Sequence, residues 1–119
     1  MMTIAADSYT VLDDSLVPTG VIENVNETPL DFQTAQTIGS RIDEPHFMLT
    51  GGGGYDLNYC LTSASMEQAA KASCDKTGIA LEVFTTEPGV QLYTGNFLEG
   101  VKGKNGATHN KRDGFCLET

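Results

Sequence analysis

Short stretches in which apolar and polar positions alternate, cut by turn residues, run through the whole chain. Tyr55-Asp56-Leu57-Asn58-Tyr59-Cys60-Leu61 alternates cleanly, the period of a strand with one face buried. Val90-Gln91-Leu92-Tyr93 does the same, with Val90 and Leu92 on one face and Gln91 and Tyr93 on the other. Residues 3–10 and 21–25 also read as strands, and residues 29–32 as a shorter extended piece. Asp13-Asp14-Ser15 and Pro18-Thr19-Gly20 read as turns. Two extended runs, residues 68–74 and 79–85, flank Asp75-Lys76-Thr77-Gly78. That polar connection ending in glycine predicts a hairpin. Pro88-Gly89 predicts a further turn, and residues 114–118 a last strand. One segment reads as helical: in residues 34–42, Ala35, Ile38 and Ile42 share a face and Thr34 is placed to cap it. No stretch of a dozen residues keeps a 3.6-residue period, so the pattern as a whole predicts an all-β, antiparallel protein.

Four consecutive glycines, residues 51–54, cannot form a strand interior without an entropic penalty. They predict a mobile loop or a close approach of backbone to something else. A phosphate cradle does not fit, because no Lys-Ser/Thr pair and no helix start follow. Residues 100–113, rich in glycine and poor in apolar groups, read as a surface loop.

Seven basic against sixteen acidic residues leave the 119-residue chain with a formal charge of −9. That argues against nucleic acid or an anionic membrane as partner, since both call for clustered Lys and Arg. Lys102, Lys104, Lys111 and Arg112 do fall in one segment, but they read as solvating the loop they sit in. Cys60, Cys74 and Cys116 are far apart and odd in number, with no Cys-x-x-Cys spacing. This argues against zinc or a disulfide framework and predicts reduced core thiols. No apolar run reaches membrane-spanning length, and the first residues carry neither a basic segment nor an apolar one of the secretory type. A soluble, cytoplasmic protein is expected.

Three polar side chains stand on otherwise apolar strands: Asp56, Gln91 and Glu118. Each has an ordinary explanation. Asp56 could cap the glycine run, Gln91 could face solvent on an edge strand, and Glu118 could be a surface carboxylate. Taken together, they suit a concave sugar site, where carboxylates and amides exchange hydrogen bonds with hydroxyls and an aromatic such as Tyr93 or Phe115 covers an apolar sugar face. Glu118, beside Cys116 and Leu117, is expected to be buried; such a carboxylate is costly unless paired, or useful because its pKa is raised.

The segments GGYDLNYCL, LEVFTTEPGVQLYTGNFLEG, GKNGA and GFCLET resemble the C-terminal half of aldose 1-epimerases, the galactose mutarotases. The earlier run IAADSYTVLDDSLVPTG is similar to the same family, so the resemblance extends from Ile4 to Thr119. It implies an antiparallel β-sandwich of the galactose mutarotase type, of which residues 1–119 are an incomplete, C-terminal part lacking the N-terminal half and the final strands. It also implies interconversion of α and β anomers of a hexose such as galactose or glucose, by general acid and base catalysis of ring opening. By motif, Glu118 matches the general base, and Asp56 and Gln91 match substrate-binding residues. No metal or organic cofactor is implied. The family's general-acid histidine lies in an Asn-His-x-Tyr-Phe-Asn type motif that is absent here, and neither His46 nor His109 is expected to replace it. The chain alone is therefore expected to be inactive. A non-catalytic carbohydrate-binding remnant, or one half of an enzyme whose N-terminal half is a separate chain, is the alternative.

Overall fold

The computed structural model describes residues 1–119 in full. In chain order the strands are β1 (Met2–Ile4), β2 (Ala6–Leu12), β3 (Pro18–Asn24), β4 (Asp56–Leu61), β5 (Glu67–Ser73), β6 (Ala80–Thr85), β7 (Gly89–Tyr93), β8 (Val101–Lys102), β9 (Thr108–His109) and β10 (Cys116–Glu118). One short helix, α1 (Phe47–Gly52), lies between β3 and β4. Every strand pairing is antiparallel. Five strands form one sheet in the order β10-β7-β4-β2-β3, three form a second in the order β1-β5-β6, and β8 and β9 make a small separate hairpin.

The two larger sheets share one core. Met2, Ile4, Ala70 and Ala72 come from the three-stranded sheet, and Tyr9, Leu57, Tyr59, Val90 and Leu92 from the five-stranded one. The alternation in β4 and β7 is what sorts them: Leu57, Tyr59, Val90 and Leu92 are each at most 1 % exposed, while Asp56, Asn58, Gln91 and Tyr93 between them are only half-buried. The buried phenols of Tyr55 and Tyr59 donate to the carbonyl oxygens of Pro29 and Leu30, at 2.9 and 3.0 Å. These bonds staple the irregular 29–32 segment under the sheet.

The predicted hairpin is present: β5 pairs with β6 from Glu67↔Thr85 to Ser73↔Ala80. Elsewhere tertiary contacts override the local pattern. Residues 3–10 are not one strand. The chain breaks at Ala5, whose N–H bonds the Ala69 carbonyl and whose own carbonyl accepts from Thr62, so β1 joins one sheet and β2 the other. Pro18-Thr19-Gly20 is the start of β3 rather than a turn. The helix expected over residues 34–42 is reduced to a single 3-10 turn, Ile38–Ser40, without a side-chain cap. The reason is that Gln36 exchanges backbone hydrogen bonds with Met2 as an isolated bridge, which holds that part of the segment extended.

The glycine run ends a helix. α1 closes on Gly53 at φ +68°, in the left-handed conformation common at helix C-termini. Gly54, at φ +148°, is the close backbone approach: a β-carbon there would lie 2.3 Å from Asn96 Oδ1 and 2.9 Å from Thr94 Oγ1. The cysteines depart from the core reading. Cys60 is half-buried and Cys74 and Cys116 are exposed, all three free thiols. Cys60 and Cys116 share the sheet face of Asp56 rather than that of Leu57, and Cys74 sits in the β5–β6 turn, where the Thr77 hydroxyl and N–H hold its thiol below its usual pKa. No helix is long and apolar enough to cross a membrane.

Candidate functional site

The outer face of the five-stranded sheet carries a band of polar side chains that runs across the strands rather than along them. Residues directly opposite each other on antiparallel strands share a face. Asn58 on β4 stands opposite Gln91 on β7, and Gln91 stands opposite Glu118 on β10. The Asn58 amide then donates from Nδ2 to Thr10 Oγ1 on β2 at 3.0 Å. Thr10, Asn58, Gln91 and Glu118 thus form one rung across four strands. Asp56, two residues from Asn58 on the same face, accepts a hydrogen bond from Gln91 Nε2 at 2.8 Å. That bond fixes the Gln91 amide and leaves the second Asp56 oxygen without a protein donor.

Asp56, Asn58 and Gln91 line an open concavity of about 330 Å3, walled on the β2–β3 side by Leu12, Leu16 and Pro18. Its size and its mixture of apolar wall and convergent polar groups suit a small polar ligand. Two backbone features build it. Gly89, opposite Cys60, has no side chain, and a β-carbon there would lie 2.3 Å from Asn58 Oδ1. In the β2–β3 loop, the Asp13 carboxylate accepts from the Ser15 and Val17 N–H groups at 2.8 and 3.1 Å. This winds the loop tightly enough to hold Leu16 at φ +61° over the sheet.

The three residues expected from the sequence are therefore on one face, and two of them touch. Glu118 departs from expectation in one respect. It is exposed rather than buried, on a three-residue edge strand, and it lies outside the concavity lined by Asp56 and Gln91. It has only β7 beside it, so nothing withdraws it from water. Tyr93 shares the polar face and stacks on Phe97, ring centroids 6.2 Å apart, while its hydroxyl accepts from the Phe97 N–H. Phe115 cannot cover a ligand beside Glu118, because alternation along the strand turns it to the opposite face, where it borders an apolar groove. Asn58 and Thr10 belong to the site and were not singled out from the sequence. Asn58 was within reach, being two residues from Asp56 on an alternating strand; Thr10 was not, since nothing in its own segment ties it to β4.

Neither histidine stands with Glu118. His46 caps α1, its Nδ1 accepting from the Met48 N–H at 3.3 Å. Its ring packs on Phe47 and edge-on to Tyr9, on the core side of β2, and burial lowers its pKa. His109 lies on the exposed β8–β9 hairpin against Gly103. No group of three or more His, Cys, Asp or Glu side chains is arranged to hold a metal ion.

Two antiparallel sheets over a shared core define a β-sandwich, one of whose sheets presents a rung of carboxylate and amide groups on its open face. Residues 1–119 match the family described as Aldose 1-epimerase, and the chain belongs to that family. Over 120 residues it is 44 % identical to galactose mutarotase of Mus musculus and 42 % identical to that of Homo sapiens, in each case over 99 % of this chain and 34 % of the relative. Aldose 1-epimerase of Escherichia coli (strain K12) is 29 % identical over 123 residues. Among solved structures, the GalM/aldose epimerase homologue from C. elegans superposes with a TM-score of 0.77 at 24 % identity, over 98 % of this chain and 34 % of that one. Galactose 1-epimerase from Lactobacillus acidophilus NCFM gives 0.79 over 96 % and 32 %. The fold is that of the galactose mutarotase β-sandwich, and the chain spans about a third of the length of these relatives.

Proposed function

We propose that this chain is the C-terminal part of an aldose 1-epimerase, converting α and β anomers of a hexose such as galactose or glucose into each other. The observation that carries the reading is the shared face of Asp56, Gln91 and Glu118, with Gln91 bonded to Asp56 and in register with Glu118. In this reading Glu118 takes the proton of the anomeric hydroxyl while the ring oxygen is protonated, the bond between that oxygen and the anomeric carbon breaks, and a free aldehyde forms. Rotation about the bond from that carbon to its neighbour and reclosure give the other anomer. Gln91, on the strand beside Glu118, and Asp56, one strand further, hold the other hydroxyls of the ring. The work is proton transfer on a substrate that already supplies both protonation sites, so a general acid and a general base suffice.

The acid is the part this chain does not supply. His46 faces the core side of β2 and His109 sits on a separate hairpin. That placement favours the second reading: on its own, the chain is a carbohydrate-binding portion that becomes catalytic when an N-terminal half provides the acid. We assign it to the cytoplasm, with a small aldose as ligand and no nucleic-acid or membrane partner. Polarimetry of freshly dissolved α-D-galactose tests the assignment. The chain alone should barely exceed the spontaneous rate, because losing one of two acid–base partners forfeits about 10²–10⁴-fold. Addition of the missing half should restore turnover, and Glu118→Gln should abolish what is restored. Robust turnover by the chain alone, unaffected by Glu118→Gln, would overturn the role given to Glu118.

A further inference from the structure

Four non-glycine residues hold a positive φ, and three of them, Glu27, Asn105 and Arg112, are exposed polar residues in turns. The fourth is Leu16, at φ +61°. That conformation crowds the β-carbon of every residue except glycine, and asparagine and aspartate tolerate it best among the rest. A leucine persists there only when its surroundings over-determine it. Burial in the shared core is not the reason, because Leu12 packs on that core and Leu16 does not. The loop itself holds it: the Leu16 N–H donates to the Asp13 carbonyl and the Asp13 N–H to the Val17 carbonyl, both at 2.9 Å.

The Leu16 side chain stands between two hollows. On one side is the concavity of about 330 Å3 floored by Thr10, Asp56, Asn58 and Gln91. On the other is a cavity of about 160 Å3 lined by Phe47, Met48, Thr50 and Gly51. Leu12 and Leu16 border both, so Leu16 is part of the partition between them. The polar groups of the concavity all rise from its floor, in a rung that runs from Glu118 through Gln91 and Asn58 to Thr10. Its wall beyond β2 is hydrocarbon: Leu12, Leu16 and Pro18.

We propose that Leu16 is a specificity-determining residue of this site, packing on carbon 6 of the sugar, so that the site takes aldohexoses, 6-deoxyhexoses included, in preference to aldopentoses; this rests on the reading of Glu118 given above. With the anomeric hydroxyl at Glu118, the ring extends along the rung towards β2, and the substituent on carbon 5 is the part that reaches the wall. A hydroxyl pressed against Leu12, Leu16 and Pro18 would find no side-chain partner there, whereas a methylene or methyl group gains by leaving water. The placement of that hydrocarbon accounts for a leucine in a conformation better suited to glycine.

The test is an NMR titration of the 119-residue chain, followed at the side-chain amides of Asn58 and Gln91. The probes are D-galactose, 6-deoxy-D-galactose and L-arabinose, whose pyranose ring is that of D-galactose without carbon 6. The deoxy sugar should bind at least as tightly as D-galactose and L-arabinose about fourfold more weakly, the effect of one buried methylene group. Leu16→Gly and Leu16→Asn both suit φ +61°, so the urea midpoint should hold while the gap between hexose and pentose closes. Val21→Ala, on the exposed strand β3, should leave the gap as it is. Hexose and pentose bound equally by the unaltered chain, weaker binding of the deoxy sugar, or a gap untouched by both Leu16 substitutions would each overturn the proposal while leaving the sugar site in place. Loss of fold in both variants would make Leu16 a structural residue and overturn it as well. Binding of none of the three sugars would overturn the proposed function, and this assignment with it.

Discussion

Gly54→Ala replaces one hydrogen by a methyl group and should be among the most damaging single changes in this protein. Gly54 is buried at φ +148°, where side chains are rarely tolerated, and that backbone strain costs about 1–3 kcal/mol. The added β-carbon would lie 2.3 Å from Asn96 Oδ1. An exposed asparagine would rotate away, but Asn96 is 7 % exposed and pinned at both ends of its amide. Its Oδ1 accepts from Thr94 Oγ1 at 2.7 Å and its Nδ2 donates to the Tyr55 carbonyl at 2.9 Å. Moving it leaves buried polar groups unpaired, at about 1–3 kcal/mol. Together the two effects come to about 2–6 kcal/mol, a large share of the total for a domain of this size, at about 0.05–0.15 kcal/mol per residue. Urea unfolding followed by circular dichroism should show that loss, and calorimetry a fall in Tm of about 8–24 °C. Gly39→Ala, which meets nothing within 4 Å and needs no unusual φ, is the control and should change little. In a double variant, Asn96→Ala should cost less when Gly54→Ala is already present, because both break the same contacts. A loss below about 1 kcal/mol for Gly54→Ala would refute the reasoning.

Two other outcomes follow from the same structure. Gly89→Ala would push Asn58 off the polar face while leaving the core side of β7 intact, so it should cost only about 1 kcal/mol in unfolding experiments yet shift the amide resonances of Asn58, Thr10 and Gln91 together; unchanged shifts at Thr10 would argue against the rung. Burial pushes the Tyr55 phenol from its usual value of 10.0 up to about 12. The stability this contributes is fully present below pH 10 and is lost as pH rises through 12, a fall of about 2–3 kcal/mol. Alkaline unfolding curves of Tyr55→Phe should lack that fall, and an unaltered slope would contradict the assignment.

The elements legible in the sequence are those whose own residues decide them. β4 and β7 alternate because one face of each is core, and the β5–β6 hairpin carries its turn between its strands. What was not legible depends on distant partners. The pattern of residues 34–42 is helical, but Gln36 is claimed by Met2, more than thirty residues away. Residues 3–10 read as one strand because nothing local says that Ala5 will be gripped by Ala69 and Thr62. α1 was hidden by its glycines. For the site, alternation alone shows that Asp56 and Asn58 share a face, and that Gln91 and Tyr93 do. Only the register of β4 on β7 and β10 on β7 brings Asp56, Gln91 and Glu118 together, and that register is a property of the sheet.

A site written along one rung of a sheet behaves as a ruler with fixed graduations. The spacing between Thr10, Asn58, Gln91 and Glu118 is set by backbone hydrogen bonding, at about 4.8 Å per strand, and no substitution of a side chain can alter it. Lengthening or shortening a connection such as the β8–β9 excursion leaves the graduations where they are. Only the lengths of the side chains standing on them can be tuned, so changes in ligand preference should arise by swaps such as Asp for Glu or Asn for Gln rather than by remodelled loops. The one fatal error is a slip of a single residue, which would turn Gln91 into the core and bring Leu92 out to meet the ligand.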